Sequence, residues 1–348
     1  MKRTLLAMAV GAAFLPLVAQ AAPEFYGRLD VSTSYMDQTA GNNNEWSVDS
    51  TKNWVGIKGD AALYNDNLKL IYQFERGINL TDNNQVEDDG GDTVSTSFTA
   101  RNSYLGIASD NWGKVFLGTY DGVVKKAEGK VDQFNNTLAD MESYISGQNR
   151  YANTINYQSA NYSGLSFSVQ SIQGEGRDDA SGDTLPYDEQ NDLADGYGVG
   201  ISFTQDTFWA NLAYEKGAAV GENPTTLITG DIGIETLRAT AGMNIGNIEF
   251  AALYQQNSDD LAGSDTLNDM LVSGAFAVSD RLKLKAQYGM HEITSKRDQN
   301  VITLGADYEL GKNVTSYALI QNNKSDAVAP GGDDIEFNAV AVGLAYKF

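Results

Sequence analysis

Histidine and cysteine supply much of the nucleophilic, acid–base and metal-binding chemistry of proteins, and this sequence nearly lacks both. It has no cysteine and one histidine, His291. Thiol chemistry and disulfides are therefore excluded. His291 stands beside Glu292 at the end of an alternating segment, without a Gly-x-Ser-x-Gly elbow or a paired metal-ligand motif. A lone imidazole of this kind is more often a surface residue than a general base, so we predict that the protein is not an enzyme.

Carboxylates are the charged groups that the chain has in excess. Asp and Glu number 46 against 24 Lys and Arg, a formal net charge of −22. This balance argues against nucleic acid as a partner, because phosphates must be neutralised by a basic face. Acidic runs such as residues 88–92 could bind Ca²⁺ or Mg²⁺, but their spacing does not match an EF-hand loop and hydrated charge is the favoured interpretation. No other cofactor or metal is expected.

The elements that must position these charges are strands with a period of two. In the last ten residues Val340, Val342 and Leu344 fall on one side, and small residues fall on the other. Aromatic residues gather near segment ends, as in the girdles of a membrane barrel, and the opposite faces carry charges that suit a wet lumen. A soluble β-sandwich lectin or adhesin would also alternate, so this alternative stays open. The same alternation occurs in residues 302–310, 282–290, 197–203 and 68–75.

Short and long connections alternate along the chain, and this alternation favours the barrel. Short turns on one rim and long loops on the other are typical of outer-membrane barrels. Counting segments predicts about 16 antiparallel strands, enough to enclose an aqueous channel. The predicted turns lie near residues 65, 110, 162, 205, 246, 279 and 311, and the predicted long loops are 37–45, 78–95, 121–149, 174–194, 217–232, 257–266, 292–299 and 323–333.

The first residues have the pattern of a secretory signal peptide. Lys2 and Arg3 precede a short apolar run, and Ala19-Gln20-Ala21 forms a cleavage site. The run is too short to span a bilayer as a helix, which takes roughly 20 residues. We predict a signal peptide at residues 1–21 and one transmembrane barrel domain at 22–348, because only helices and closed barrels satisfy the backbone in lipid.

Three internal motifs and the C-terminal residue resemble one known family. The motifs are residues 26–30, 101–118 and 150–159, and the chain ends on Phe348. Together they resemble the Gram-negative general diffusion porins, especially the neisserial-type outer-membrane porin family. The resemblance implies a homotrimer in the outer membrane, with lipid and lipopolysaccharide as partners, and Phe348 as the signal for the barrel-assembly machinery. Cations bound by the acidic runs would then bridge to lipopolysaccharide.

The resemblance also implies where the channel is narrowest. In this family the third long loop, here Asp121 to Asn149, folds into the lumen. Its acidic residues face a basic cluster on the barrel wall, and the resulting field selects ions and polar solutes. Matched onto this sequence, the acidic residues are Glu128, Asp132, Asp140 and Glu142, and the basic residues are Arg28, Lys52 and Arg150.

Two departures from the family pattern bear on selectivity. Trp54 and Thr119 stand where many of these porins carry wall arginines. We therefore expect a water-filled pore for passive diffusion of small hydrophilic solutes, with a preference for cations. The alternative is a porin specific for an oligosaccharide, which would need an aromatic track along the lumen. Its candidates are Tyr26, Trp54 and Trp209.

Overall fold

The computed structural model describes most of the residues after the predicted signal peptide. The signal peptide and the acidic run 88–92 lie outside the described part of the chain. Within that part, no helix is both long and apolar enough to cross a membrane. The described residues are 22–39, 43–63, 67–81, 85–87, 93–95, 98–173, 193–216, 235–258, 266–294, 297–326 and 334–348.

Nearly every regular element is an antiparallel strand. A large sheet contains all of the strands except β5 and β6, which form a separate hairpin. The strands in chain order are β1 (Glu24–Gln38), β2 (Asn43–Asp49), β3 (Asn53–Ala62), β4 (Lys69–Ile78), β5 (Gln85–Glu87), β6 (Thr93–Ser95), β7 (Phe98–Ser109), β8 (Gly113–Asp121), β9 (Arg150–Gln158), β10 (Leu165–Ile172), β11 (Gly196–Thr204), β12 (Phe208–Lys216), β13 (Glu235–Ile245), β14 (Ile248–Ser258), β15 (Leu267–Ala277), β16 (Leu282–Thr294), β17 (Arg297–Gly311), β18 (Val314–Ser325) and β19 (Ile335–Lys347).

The sheet closes on itself to form a barrel. From β7 to β19 each strand pairs with the next along the chain, β4 pairs with β3 and β7, and β1 pairs with β19 to join the two ends. The short strands β2 and β3 pair with different parts of β1, so they occupy one position in the wall. The seventeen segments therefore make a barrel of sixteen strand positions. This confirms the predicted fold and excludes the sandwich. At the closure Phe348 and Gly27 exchange backbone hydrogen bonds of 2.9 and 3.1 Å; the role of Phe348 in assembly stays a prediction.

The outer face of the barrel is apolar, as the alternation predicts. In β19 the side chains of Val340, Val342 and Leu344 are about half exposed, whereas Ala339 and Ala341 are buried. The same alternation runs through the other strands. Because a contiguous exposed apolar surface is unstable in water, this face requires an apolar surrounding.

The two rims differ, but several connections are shorter than the sequence suggested. Tight turns at Gly246-Asn247 and Lys312-Asn313 use Gly246 and Asn313 at positive φ, 62° and 70°, which Gly and Asn tolerate best. At the other rim, strands β1 and β2 extend into the predicted loop 37–45. Strands β16 and β17 likewise extend into 292–299 and leave only residues 295–296 between them. These two predicted long loops are wrong, because polar residues at the strand ends continue the ladder of backbone hydrogen bonds.

The connection between β8 and β9, residues 122–149, lies inside the barrel and is called L3 below. It begins one residue after the predicted start at Asp121 and ends at the predicted Asn149, and it contains helix α1 (Val123–Lys126) and a 3₁₀ helix (Met141–Ser143). Its apolar side chains pack on inward-facing residues of β12 to β19, the far wall. Val131, Met141 and Tyr144, for example, share one buried cluster with Leu253 and Leu271. L3 therefore covers the far wall with apolar contacts, whereas Arg28 and Lys52 meet it through polar contacts on the side of β1 to β9, the near wall.

Candidate functional site

The near wall carries carboxylates that are each bound by an arginine. On β4, Glu75 lies 2.5 Å from the Arg101 guanidinium and also accepts a hydrogen bond from the Tyr26 hydroxyl at 2.9 Å. Arg101 in turn stacks over the Trp54 ring, 4.5 Å from its centroid. Arg101 on β7, two strands from Trp54, therefore covers the Trp54 ring while it is paired with Glu75.

Two of the predicted basic residues lie where L3 meets the near wall: Arg28 contacts L3, and Arg150 contacts the end of the strand that precedes it. Arg150 forms an ion pair of 2.8 Å with Asp121 at the base of L3. Arg28 pairs with Asp30 on its own strand and donates a hydrogen bond of 3.1 Å to the Asn136 carbonyl oxygen of L3. The Arg28 guanidinium therefore holds the loop, and Arg150 joins the ends of the two strands from which the loop emerges.

Lys52 and Glu142 meet where L3 approaches the break between β2 and β3. Lys52 has a positive φ of 48°, and its ammonium lies 2.6 Å from the Glu142 carboxylate. A second ammonium, Lys125 on α1, lies 3.9 Å from the same carboxylate. Burial opposes ionisation of Glu142, but the charges of Lys52 and Lys125 outweigh it and lower the pKa of this carboxyl.

The other three predicted acidic residues are buried within L3. Asp132 accepts hydrogen bonds from the backbone amides of Phe134 and Met141 at 2.8 and 2.9 Å. Asp140 does the same for Asn136 and Glu142 at 2.7 and 2.9 Å. Glu128 accepts a hydrogen bond of 2.6 Å from the Asn135 side-chain amide. The structure thus brings Glu142 to the predicted basic residues, but not Glu128, Asp132 or Asp140; a role for them in conduction stays a prediction.

Burial has an electrostatic consequence for two of these residues. It raises the pKa of Glu128, and the charge of Asp140 adds to the effect. For Asp132, burial and the charges of Asp140 and Glu128 raise the pKa well above its ordinary value. Both carboxyls hold their protons to higher pH than exposed ones would, so they contribute less negative charge to the lumen.

Arg238 on β13 is a functional residue that the sequence analysis missed. It is fully buried and donates hydrogen bonds of 3.0 and 2.6 Å to the Val124 and Ser146 carbonyl oxygens, at opposite ends of L3. Its Nε donates to Gln255 at 2.6 Å. An arginine at an inward position of an alternating strand was the signal that could have identified it.

The one histidine lies in the wall rather than on the surface. His291 is buried on β16, and its Nδ1 lies 2.5 Å from Asp269. Gln255 and Asn257 donate to the other oxygen of Asp269 at 2.9 and 2.8 Å. The expectation of a surface imidazole is wrong because β16 continues past His291 and turns its ring inward. Among the described residues, no group of three His, Asp or Glu is placed to hold a metal ion.

The aromatic residues proposed for an oligosaccharide track do not form one. Trp209 is buried beneath L3, where its ring lies against Gly129. Trp54 is covered by Arg101, and the Tyr26 hydroxyl is bound to Glu75. L3 thus separates Trp209 on the far wall from Trp54 and Tyr26 on the near wall.

A closed barrel with an apolar exterior and a loop seated inside a charged lumen defines a membrane channel. The family model for Gram-negative porins matches residues 5–328, so the chain belongs to the Gram-negative porin family. It is a multi-pass β-barrel of the outer membrane that forms a channel for passive diffusion, and it is not an enzyme. The resemblance found in the sequence is confirmed.

Relatives and solved structures agree with this assignment. An outer membrane porin protein of Bordetella pertussis is 23% identical over 398 residues, covering 100% of both proteins. Major outer membrane protein P.IA of Neisseria meningitidis is 24% identical, covering 85% of this chain and 81% of its own. Among solved structures, an anion-selective porin from Comamonas acidovorans has a TM-score of 0.72 and 18% identity, covering 94% of this chain and 99% of its own. The trimer form of OmpT from Vibrio cholerae has a TM-score of 0.62 and 17% identity, and the match covers 94% of this chain and 99% of the OmpT chain.

Proposed function

We propose that small hydrophilic solutes and ions pass between L3 and the near wall, and that the charge of this passage favours anions. The balance of ion pairs supports the proposal. Asp30, Glu75 and Asp121 are each neutralised by one arginine, whereas Glu142 meets two ammonium groups. A narrow passage of low dielectric that carries excess positive charge raises the local concentration of anions. The anion selectivity of the Comamonas porin is consistent with this proposal.

The cation preference expected from the sequence is the competing candidate. That candidate rests on a basic side depleted at Trp54 and Thr119. The positive charge of Lys125 and the burial of three loop acids offset this depletion. The net charge of −22 favours the cation preference, and several acidic runs lie in segments outside the described residues. Charge at the mouth acts through screened solution over about 8–10 Å, whereas charge at the constriction acts at contact distance, so we favour the constriction.

Reversal potentials of the refolded full-length protein in planar bilayers, under a KCl gradient at pH 7, test this proposal. We expect an anion-leaning value. Glu142→Gln should move it further toward anions, because one negative charge is lost beside two positive ones, and Lys125→Gln should move it toward cations. A cation-leaning wild type, or shifts of the opposite sign, would overturn the proposal.

We propose three further properties that the resemblance implies. The channel assembles as a homotrimer, which the trimer form of a similarly folded porin supports. Its outer face contacts lipid and lipopolysaccharide, and Ca²⁺ or Mg²⁺ bridges lipopolysaccharide to the acidic runs. Strand insertion uses the C-terminal Phe348 as the signal for the assembly machinery.

A further inference from the structure

We infer that Lys114 and Lys126 form a binding station for small oxyanions, carboxylate or phosphate, where α1 faces the near wall. The inference rests on the proposed diffusion function and names the solute class that pauses in the channel. Lys114 is the second residue of β8, just after the turn at 110–112, and Lys126 is the last residue of α1. The two ammonium groups approach one aromatic cluster from different segments of the chain.

The aromatic cluster is built from Tyr104, Phe116 and Tyr120. Their ring centroids are 4.5 Å apart for Tyr104 and Phe116, 4.7 Å for Phe116 and Tyr120, and 5.6 Å for Tyr104 and Tyr120. The Lys114 ammonium lies 5.2 Å from the Phe116 centroid, and the Lys126 ammonium lies 5.9 Å from the Tyr120 centroid. Cation–π attraction positions an ammonium group without cancelling its charge.

Neither ammonium has a carboxylate partner among the described residues. The nearby Asp121 is occupied, since Arg150 pairs with it at 2.8 Å and the Asn102 side chain donates to it at 2.7 Å. An ammonium group that no carboxylate binds attracts a mobile anion, because the anion adds charge-assisted hydrogen bonds.

The recess beside Lys126 is largely polar. It is lined by Tyr120, Asn156, Gln158, Ser168 and Gln170, together with Val123, Tyr157, Val169 and Asp121, whose carboxylate is paired with Arg150. The Gln158 amide donates to the Tyr120 hydroxyl at 3.3 Å, so the side-chain amides of this recess lie within reach of the cluster. Amides and hydroxyls can donate to an oxyanion, whereas a cationic solute would meet two ammonium groups. The site therefore selects small anions and rejects cations.

Inorganic phosphate is the probe. In calorimetric titrations of the detergent-solubilised full-length protein, we expect saturable phosphate binding in the wild type. In planar bilayers, phosphate should reduce the chloride current in proportion to the occupancy of the site. Lys114→Gln and Lys126→Gln should each weaken binding about three- to tenfold, as expected for a partly exposed charged contact, and the double variant should abolish it. Lys126→Arg keeps the charge and should keep the binding.

Lys58 provides a matched control. Its ammonium also stands over a lumen aromatic ring, 4.7 Å from the Tyr26 centroid, but it pairs with Glu24 at 3.2 Å. Lys58→Gln should leave phosphate binding unchanged. If calorimetry detects no phosphate binding to the wild type, or equal binding to the double variant, the proposed binding station is wrong even if the channel conducts. A protein that binds phosphate through these lysines but does not conduct would overturn the diffusion function instead.

Discussion

Glu142 makes the constriction sensitive to pH. Because its pKa lies below the ordinary value of 4.5, its attraction to Lys52 and Lys125 is fully present above 4.5 and is lost as the pH falls through the lowered folded value. Both Lys52 and Glu142 are about one-third exposed, so their pair contributes only about 0.2–1 kcal/mol. The effect of protonation is therefore on the charge of the passage more than on stability.

We expect the difference in anion preference between the wild type and Glu142→Gln to stay constant from pH 7 to about 4.5 and to shrink only below that value. Protonation then leaves two ammonium groups without their carboxylate. Glu142→Gln should show the raised preference already at pH 7. Because other carboxylates also titrate, the measurement is the difference in reversal potential between the two proteins. A difference that disappears well above pH 4.5 would contradict the lowered pKa.

L3 is the element where the sequence predicted the boundaries but not the contacts. The bounds 121–149 follow from local patterns, since the strands on either side alternate and the segment between them does not. Its attachment depends on contacts distant in the chain: Arg238 is 114 residues from Val124, and Ser273 is 142 residues from the Val131 carbonyl oxygen that it binds. A period of two identifies which face a residue occupies, but not which loop meets that face. Arg101, Lys114 and Lys126 were missed for the same reason.

Arg238→Met tests how L3 is held. The substitution keeps most of the volume but removes the donors to Val124 and Ser146 and the positive charge near Glu128 and Glu215. Loss of one partner from a buried charged network costs about 3–5 kcal/mol. We expect L3 to leave the far wall intermittently, with added current noise and faster trypsin cleavage after Lys130. Arg281→Met, in an exposed turn, is the control, and unchanged cleavage in Arg238→Met would show that the apolar contacts suffice.

At the scale of the whole barrel, alternate side chains of each strand face hydrocarbon on the outside and water in the lumen. Val169 points outward from the middle of β10 and is 45% exposed, whereas Ser166 on the same strand points into the lumen. A lysine at the lipid midplane costs about 2–4 kcal/mol, and a lysine in a wet lumen costs far less. Val169→Lys should therefore lower the free energy of unfolding in lipid vesicles by about 2–4 kcal/mol, measured by denaturant titration, and Ser166→Lys should lower it by under about 1 kcal/mol. Equal effects would mean that the outer face does not contact hydrocarbon, and the membrane location of the barrel would lose its physical basis.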